Sequence, residues 1–516
     1  MRNEALKRIS KNITLLYLGI MMSFFLFYFH NYYYDMTPSK YRFFFYTTCI
    51  YLLICSIIGF IWFVTNIKDL KIQRLKALPK WEILMFLFLI SLCITTLISP
   101  YRDASIWGSS GRQTGLVFMV MVCMVAFIIA HTYDLDQIVI LIYLCSTSLV
   151  FILAILNFFS IDPFGFFVKL SDYQGAFYLS TIGNINFFSS LICLSLPLSV
   201  VLYCYCQQKN SKVIYYICSI LGFIALIIGN SDSGYLGIGC IFIFLFFLFI
   251  RDKKCFQRFL QLCISWLIAG RAIGIFIELN PVDARPLITL SALVSTSKIS
   301  LIILIILICI YILMINKPTL FSEYNLKKIK NTFAVVLGLF IIGIIVLMIY
   351  VNCFHQNFSL GFLSTYLRLD DNWGTGRGMI WTHLLKAYAS FPLQGKLFGN
   401  GLDTTRLVMQ LFYSAEGLGM YDNAHNEFVQ YLVTSGMAGL CLYFSTCILL
   451  LKNLAKYISK EPFALSIFSI VLCYLIQSTV NINQPITTPL FFIFIGIAGC
   501  CIKSFGQEEK LASAQR

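Results

Sequence analysis

Charged residues are scarce in this 516-residue chain: Asp, Glu, Lys and Arg make up only 12% of it, whereas hydrophobic residues make up 59%. Ordinary soluble domains are about a quarter charged and about half apolar. A soluble fold could not hide this much apolar surface, so the composition excludes a soluble globular protein. It predicts an all-α protein, a polytopic transmembrane helical bundle, because helices satisfy their own backbone hydrogen bonds in lipid.

Metal-binding patterns are also lacking. The chain has only five histidines, and its 19 cysteines lie almost entirely within apolar runs, where cysteine behaves as a small hydrophobic residue. Cys204-x-Cys206 and Cys500-Cys501 have no histidine or second cysteine pair to complete a metal site. Asp370-Asp371 is interpreted as a solvated pair. We therefore predict no metal and no other cofactor.

The basic residues do not indicate a nucleic-acid partner, although the net charge is +15. No base-stacking or nucleic-acid motif accompanies them. In membrane proteins Lys and Arg collect in the short cytoplasmic loops, where they face anionic lipid. Membrane lipids are therefore the partners predicted from this charge.

Apolar runs long enough to span a bilayer recur along almost the whole chain. A spanning helix needs about 20 mostly apolar residues. Fourteen such runs lie near residues 13–31, 43–66, 82–99, 116–134, 137–159, 186–206, 213–230, 234–250, 256–279, 298–315, 332–352, 426–451, 462–480 and 486–502. With no internal repeat and no soluble segment of domain size, residues 1–516 are interpreted as a single membrane domain.

The distribution of basic residues predicts the orientation. If both termini are cytoplasmic, the inner segments hold 25 of the 38 basic residues. A dense group then lies inside, and a shift by one helix would place it outside: Lys68, Lys71, Arg74, Lys76 and Lys80. The positive-inside rule therefore favours fourteen spans with both ends in the cytoplasm. The first run lacks a small-residue cleavage site, so we expect it to remain as an anchor.

The main polar segment is residues 353–425, between the eleventh and twelfth runs, and is called the long loop below. In the predicted orientation it is extracytoplasmic. Residues 377–391 carry bulky side chains at helical spacing, which predicts an amphipathic helix ended by Pro392. A glycine-rich turn region follows. A second short helix is predicted to begin at Asp403, whose side chain can cap free backbone N–H groups.

His425 ends the long loop, directly before Asn426 and an apolar helix. Water, lipid head groups and a helix N-terminus meet at this point. A neutral imidazole there could take a proton from a hydroxyl group, and the field of the helix N-terminus disfavours the charged form. The alternative interpretation is that His425 only caps the membrane helix.

Several short motifs follow one another between residues near 105 and 440. Those in the second half are Gly376-Arg377-Gly378-Met379-Ile380-Trp381, Phe391-Pro392-Leu393-Gln394-Gly395, His425-Asn426-Glu427-Phe428 and Gly436-Met437-Ala438-Gly439. Those in the first half are Arg112 with Gly115 and Gly183-Asn184-Ile185-Asn186. In their order and placement they resemble the motifs of the O-antigen ligase and O-antigen polymerase family of polytopic membrane glycosyltransferases.

One position departs from the pattern of that family. Its members commonly carry Ser-Arg-Gly at the outer start of the eighth span, whereas this chain has Asp232 at the arginine position. If the family arginine grips a phosphate, another residue must do so here. Arg112 is one candidate. Arg271 is another, because it lies within an apolar stretch, where ionisable residues are rare and usually functional.

The resemblance implies transfer of a glycan from an undecaprenyl-pyrophosphate-linked donor to a hydroxyl acceptor at the outer face of a bacterial cytoplasmic membrane. Arg377 would stabilise the leaving pyrophosphate, because guanidinium forms paired, charge-assisted hydrogen bonds with phosphate oxygens. His425 would accept the hydroxyl proton. The other residues assigned to substrate binding are Arg112, Arg271, Asn184, Asn186, Asn426 and Trp381. The acceptor could be a glycan, a lipid or a wall polymer.

Simpler interpretations stand beside these roles. Arg377 could be a surface residue that reaches head-group phosphates, and Asn184 and Asn186 could belong to a turn that caps the sixth span. Within the family, a ligase and a repeat-unit polymerase differ only in the acceptor, and the ligase is slightly favoured. A lipid-linked oligosaccharide flippase is the alternative from another class, although such transporters usually show two related halves.

Overall fold

The computed structural model describes residues 2–66, 78–109, 111–280, 285–355, 358, 360–413 and 421–514. The α-helices of this part of the chain are α1 Arg2–Met22, α2 Phe24–Phe27, α3 Met36–Asn66, α4 Lys80–Ile98, α5 Arg102–Trp107, α6 Leu116–Thr132, α7 Gln137–Phe158, α8 Asp172–Gly175, α9 Ile185–Tyr205, α10 Lys209–Ile228, α11 Asp232–Phe249, α12 Lys253–Leu279, α13 Thr289–Thr296, α14 Lys298–Asn316, α15 Glu323–Ile349, α16 Ser364–Leu367, α17 Trp373–Ser390, α18 Leu393–Phe398, α19 Thr405–Tyr413, α20 Glu427–Leu454, α21 Pro462–Gln477 and α22 Thr488–Ala514. The strands β1 Tyr178–Leu179 and β2 Gly183–Asn184 form an antiparallel hairpin. Short 3-10 or π segments cover Pro318–Phe321, Tyr350–Phe354, Gly361–Leu363 and Ser478–Val480.

Thirteen helices of the described residues, counting α1 and α2 as one, are long and apolar enough to cross a membrane. They coincide with thirteen of the fourteen predicted runs. The remaining run, 116–134, forms α6, an apolar helix of 17 residues that packs along α22. The predicted polytopic helical bundle is therefore confirmed.

Helix α9 forms the centre of the bundle. Nearly all of its side chains are buried, and it packs against α10 and α21. Its polar side chains find partners inside the protein: Ser190 Oγ donates to Gln477 Oε1 at 3.2 Å, and Gln477 Nε2 donates to Ser189 Oγ at 3.1 Å. Small and polar residues of this kind allow membrane helices to approach closely. The β1–β2 hairpin, which leads into α9, is therefore attached to the packed centre of the bundle.

The segment between α4 and α6 lies on the same side of the bundle as the long loop. Ser99 Oγ donates to the Asn400 carbonyl at 2.7 Å, and Leu402 N–H donates to Ser105 Oγ at 2.9 Å. This agrees with the predicted count, in which the third and eleventh runs exit on one face. The orientation in the membrane remains a prediction. Four residues of the dense basic segment, Lys68, Lys71, Arg74 and Lys76, lie outside the described residues.

The long loop folds into a helical layer with a small apolar core of its own. Ile380, Leu384 and Ala387 of α17 are buried against Val408 and Met409 of α19. The i, i+4 and i+7 spacing of the α17 residues puts them on one face. The predicted helix over 377–391 is confirmed, and it ends at Ser390, ahead of the proline.

The predicted second short helix is present as α19, but its predicted start and cap at Asp403 are wrong. Helix α19 begins at Thr405. The Asp403 carboxylate instead accepts hydrogen bonds from the backbone N–H groups of Ser109 and Thr114, at 3.2 and 3.4 Å, and Ser109 Oγ donates to the Asp403 carbonyl. Tertiary contacts outcompete the local cap, and they tie the α4–α6 segment to the long loop.

Candidate active site

A break in helix α20 holds the glycine-rich turn of the long loop. Gly436 has φ +68° and ψ −175°, which interrupts the helix and leaves preceding carbonyls open to other donors. The backbone N–H groups of Asn400 and Gly401 donate to the carbonyls of Val433 and Thr434, both at 3.0 Å. The turn is thereby fixed to the membrane helix that follows His425.

Replacing Gly436 with alanine is expected to destabilise the protein. Its backbone conformation belongs almost only to glycine, and strain of this kind costs about 1–3 kcal/mol. The added Cβ would also collide with the backbone of Leu397 and Gly399. Thermal unfolding in detergent should show a lower midpoint than for the wild type. The control Gly338→Ala, where the Cβ meets no atom within 4 Å, should not lower it. Equal midpoints for the two variants would contradict this account.

His425 lies in a tight turn between the long loop and α20. Its backbone is left-handed, with φ +50°, a conformation in which His, Asn and Asp are enriched among non-glycine residues. The His425 N–H donates to Asn423 Oδ1 at 2.9 Å, and the preceding Ala424 N–H donates to Gln430 Oε1 at 3.0 Å. Ala424 and Asn426, on either side of His425, are buried, so the backbone of this turn is held in place.

Asn426, rather than His425, caps helix α20. Its Oδ1 accepts the N–H groups of Phe428 and Val429, at 2.9 and 3.1 Å, an N-cap geometry. The interpretation of His425 as a mere cap is therefore wrong. The carboxamide oxygen of Asn426 is committed to the helix, which leaves little of this side chain for the predicted substrate contact.

Arg112 reaches the same turn from the α4–α6 segment. Its Nε and Nη2 donate to the Asp422 carboxylate at 2.9–3.1 Å, in the paired geometry that suits guanidinium and carboxylate. Its Nη1 is buried and has no hydrogen-bond partner among the described residues. This bridge joins positions 310 residues apart in the sequence.

Arg377 comes to the site from α17. The backbone is left-handed at Gly374, Thr375 and Gly376, so the regular helix starts at Arg377. Burial lowers the Arg377 pKa, and the carboxylate of Asp232 opposes this change. Among the described residues, no hydrogen bond forms to the guanidinium. An arginine keeps its charge under these conditions, so a partly buried cation with unused donors faces the site.

Trp381, one helical turn after Arg377, ties α17 to the histidine turn. Its Nε1–H donates to the Ala424 carbonyl at 2.8 Å, and its ring lies 4.8 Å from that of Trp373. The interactions of Trp381 thus fix the spacing between Arg377 and His425. Its predicted role in substrate binding gives way, in the contacts seen, to a positioning role.

Asp232, the departure from the family pattern, also belongs to this neighbourhood. Its two carboxylate oxygens accept hydrogen bonds from Thr289 Oγ1 and the Tyr366 hydroxyl, both at 2.6 Å. Burial and the Asp232 carboxylate raise the Tyr366 pKa, so the hydroxyl stays a donor. Trp373 Nε1–H in turn donates to the Tyr366 carbonyl at 2.9 Å. A continuous chain of contacts therefore runs from Asp232 to the histidine turn.

The imidazole of His425 is neutral at physiological pH. Burial, and then the charges of Arg377 and Arg112, lower its pKa to about 4, against the opposing effect of Asp422. Each arginine acts because a neighbouring positive charge disfavours the imidazolium form. The predicted cause was the field of the helix N-terminus, whereas burial and the two guanidinium groups are the main causes in the structure. A base is therefore present beside two cations.

Of the two predicted asparagines near the sixth span, Asn184 lines a cleft near the site and Asn186 lies inside the helical bundle. Asn184 shares a cleft of about 280 Å³ with Arg112 and Asp422, and its side chain also caps α9 by accepting from Asn186 N–H at 2.9 Å. Asn186 Oδ1 accepts from Ser231 Oγ at 2.9 Å in the buried polar network of α9. The structure thus favours the capping interpretation for Asn184, which still lines the cleft, and an internal role for Asn186.

Arg271 is not brought into this group. Its Nη1 donates to the carbonyls of Ser295 and Ser297, at 3.0 and 3.3 Å. These carbonyls end α13, where a cation is favourable. The prediction that an arginine inside an apolar stretch binds substrate is therefore not supported by its contacts, which are structural.

Sequence reasoning missed Asp422, Tyr366 and Trp373. Asp422 lies three residues before His425 in a stretch that was already conspicuous for its polarity, so that signal was present. The local sequence around Tyr366 and Trp373 gives no sign of a role in the site. Only the folding of the long loop brings Tyr366 to Asp232 and Trp373 to Trp381. Within the described residues, no group of three His, Cys, Asp or Glu side chains is arranged to hold a metal ion.

The fold and the site define a polytopic helical membrane protein with a histidine–arginine centre at the end of the bundle that carries the long loop. Residues 286–444 match the family model described as O-antigen ligase. The match confirms the resemblance for the motifs of the second half of the chain, and it supports a membrane glycosyltransferase-like role in polysaccharide assembly. It covers Arg377 and His425 but not Arg112. No curated protein matches the chain closely enough to count as a relative.

Proposed function

We propose that this protein is a membrane glycosyltransferase of the O-antigen ligase type. It transfers a glycan from an undecaprenyl-pyrophosphate-like donor to a hydroxyl acceptor at the outer face of a bacterial cytoplasmic membrane. The observation that carries the proposal is the meeting of Arg377 and Arg112 at the turn of His425, where Trp381 binds the Ala424 carbonyl and Arg112 binds Asp422. The family match over the long loop supports the same reaction.

Arg377 stabilises the leaving group in this mechanism. As the anomeric carbon–oxygen bond breaks, its electron pair passes to a pyrophosphate oxygen, and negative charge develops there. Arg377 offers donors that no described residue uses, and Arg112 keeps Nη1 unpaired beside its bridge to Asp422. Fixed donors directed at developing charge lower the barrier without reorganisation at the moment of reaction.

His425 acts as the general base. The acceptor oxygen forms the new bond to the anomeric carbon, and its proton passes to the neutral imidazole of His425. Release of this proton to solvent restores the base for the next transfer. The low pKa of the free site keeps the imidazole unprotonated before the donor binds, and the negative pyrophosphate then favours the transient imidazolium.

The acid limb of the pH–rate profile should reveal these charges. Because the pKa of His425 is about 4, the neutral base is present above that pH and is lost as the pH falls through it. Arg112→Gln removes a positive charge and leaves Asp422 unpaired, so it should move the limb of kcat/KM to higher pH. Asp422→Asn should move it to lower pH. Such a profile reports groups of the free enzyme.

Proteoliposomes would provide the measurement of this limb, with a labelled lipid-linked glycan and a soluble acceptor at pH 3 to 8. Lys386→Gln removes a positive charge from the long loop at an exposed position and serves as the control. Its limb should match that of the wild type. Movement of the Arg112→Gln and Asp422→Asn limbs in the same direction would contradict the assignment of His425.

The same proteoliposomes separate the alternative functions. A ligase produces glycan bound to a new acceptor, whereas a polymerase produces a longer lipid-linked glycan. A flippase moves the labelled lipid across the bilayer and changes neither its length nor its attachment. Translocation without any new glycosidic bond would overturn the proposed function.

A further inference from the structure

A second cavity lies beside the candidate active site on the same face of the bundle. It has a volume of about 550 Å³ and is lined in part by Asn157, Asp162, Phe177, Asn230 and Arg285. This size is within the range of small-ligand sites, as is a mostly apolar wall with a few convergent polar groups. The cleft of Arg112 and Asn184 lies across the β1–β2 hairpin from it, because Phe177 lines this cavity and Tyr178 lines the cleft.

The cavity is lined by both a cationic donor and a carboxylate acceptor. Arg285 Nη1 donates to the Tyr178 carbonyl at 2.8 Å, and its guanidinium lies 4.5 Å from the Phe167 ring centroid, so the cation is fixed in place. Asp162 Oδ2 accepts the Phe167 N–H at 2.8 Å. Asp162 Oδ1 is buried without a hydrogen-bond partner among the described residues. A buried carboxylate oxygen of this kind is costly unless something binds to it.

The cavity adjoins the proposed reaction centre. Asn230 at its rim accepts the Ile288 N–H at 3.1 Å. The next residue, Thr289, donates to Asp232, whose charge acts on Arg377. A chain of sugars with its reacting end at Arg377 could therefore extend over this rim into the cavity.

We propose that this cavity binds a short, uncharged stretch of the glycan chain. A sugar hydroxyl both donates and accepts, so it can bridge Arg285 and the unpaired oxygen of Asp162. An anionic head group would be repelled by Asp162, and an acyl chain would leave Asp162 Oδ1 without a hydrogen bond. The inference rests on the proposed glycan transfer and adds a second binding subsite to it.

Binding of a free oligosaccharide tests the inference separately from transfer. The probe is lipid-free oligosaccharide released by mild acid from the surface polysaccharide of the producing cells, measured by saturation-transfer NMR with the full-length protein in nanodiscs. Arg285→Ala should weaken binding at least tenfold. Ala176→Trp should do the same by filling the cavity, since Ala176 is an exposed lining residue and the change leaves Arg285 in place.

Two further variants serve as controls. Arg102→Ala removes an exposed arginine from the same face of the bundle, and Lys386→Gln removes an exposed positive charge from the long loop. Both should bind the oligosaccharide as the wild type does. Wild-type binding by Arg285→Ala and Ala176→Trp would overturn the subsite, as would displacement of the probe by glycerol 3-phosphate, which would identify a lipid head group as the occupant. If the wild type did not transfer glycan, the proposed function would be wrong. The binding measurement would still decide whether the cavity binds the oligosaccharide.

Discussion

Replacing His425 with asparagine is expected to lower the rate of glycan transfer by about 10²–10⁴-fold, the usual contribution of a general base. Asparagine is the sharper substitution, because it tolerates the left-handed backbone of this turn, where φ is +50°, whereas alanine would add strain. The amide has no basic nitrogen to accept the proton. The measurement is the initial rate of transfer in proteoliposomes at saturating donor.

The matched control for this variant is His355→Asn, at an exposed histidine near the start of the long loop. It should transfer glycan at the wild-type rate. Both variants should reach the membrane in wild-type amounts and unfold at the same temperature as the parent. If His425→Asn kept its rate under these conditions, the imidazole would not be the base, and the chemistry would have to be carried by other groups.

Replacing Arg377 with alanine is expected to reduce the transfer rate by about 10²–10³-fold, the loss seen when one donor to a developing negative charge is removed. The effect should fall mainly on kcat, because the leaving pyrophosphate gains charge in the transition state. Arg377→Lys should recover only part of the rate. An ammonium keeps the charge but cannot make the paired hydrogen bonds of a guanidinium.

Arg406→Ala provides the comparison for Arg377, since Arg406 is an exposed arginine of α19 in the same loop. We expect this variant to transfer glycan at nearly the wild-type rate. An equal loss in both variants would indicate that the general positive charge of the loop attracts the donor. A full recovery of rate by Arg377→Lys would likewise show that charge alone is sufficient and that the paired geometry is not used.

The motifs predicted which residues lie together more reliably than they predicted the contacts of each residue. Arg377, Trp381, His425 and Asn426 do converge. Yet the indole of Trp381 holds the Ala424 carbonyl and the amide of Asn426 caps α20. A motif records that a residue type is needed at a position. It does not separate a residue that contacts substrate from one that places its neighbour, because both depend on the same short spacing.

The roles of the arginines were harder to predict from the sequence than the positions of the motifs. Arg271 was singled out because a charge in an apolar stretch is rare, but the ends of helices also need cations, and it serves the end of α13. Arg285 was not singled out, since nothing in its local sequence is unusual. Its place at a cavity depends on β1, on Phe167 and on Asp162, which are more than 100 residues away in the chain.

The sequence by itself determined the helical bundle, its long apolar helices and the position of the long loop between two of them. These follow from composition, apolar run length and local spacing, which act over a few tens of residues at most. Only the tertiary structure decided which charges meet: Arg112 with Asp422 across 310 positions, Asp232 with Tyr366 across 134, and both arginines with His425. Burial and the distance between charges fix the protonation of the imidazole, and neither quantity exists until the chain has folded.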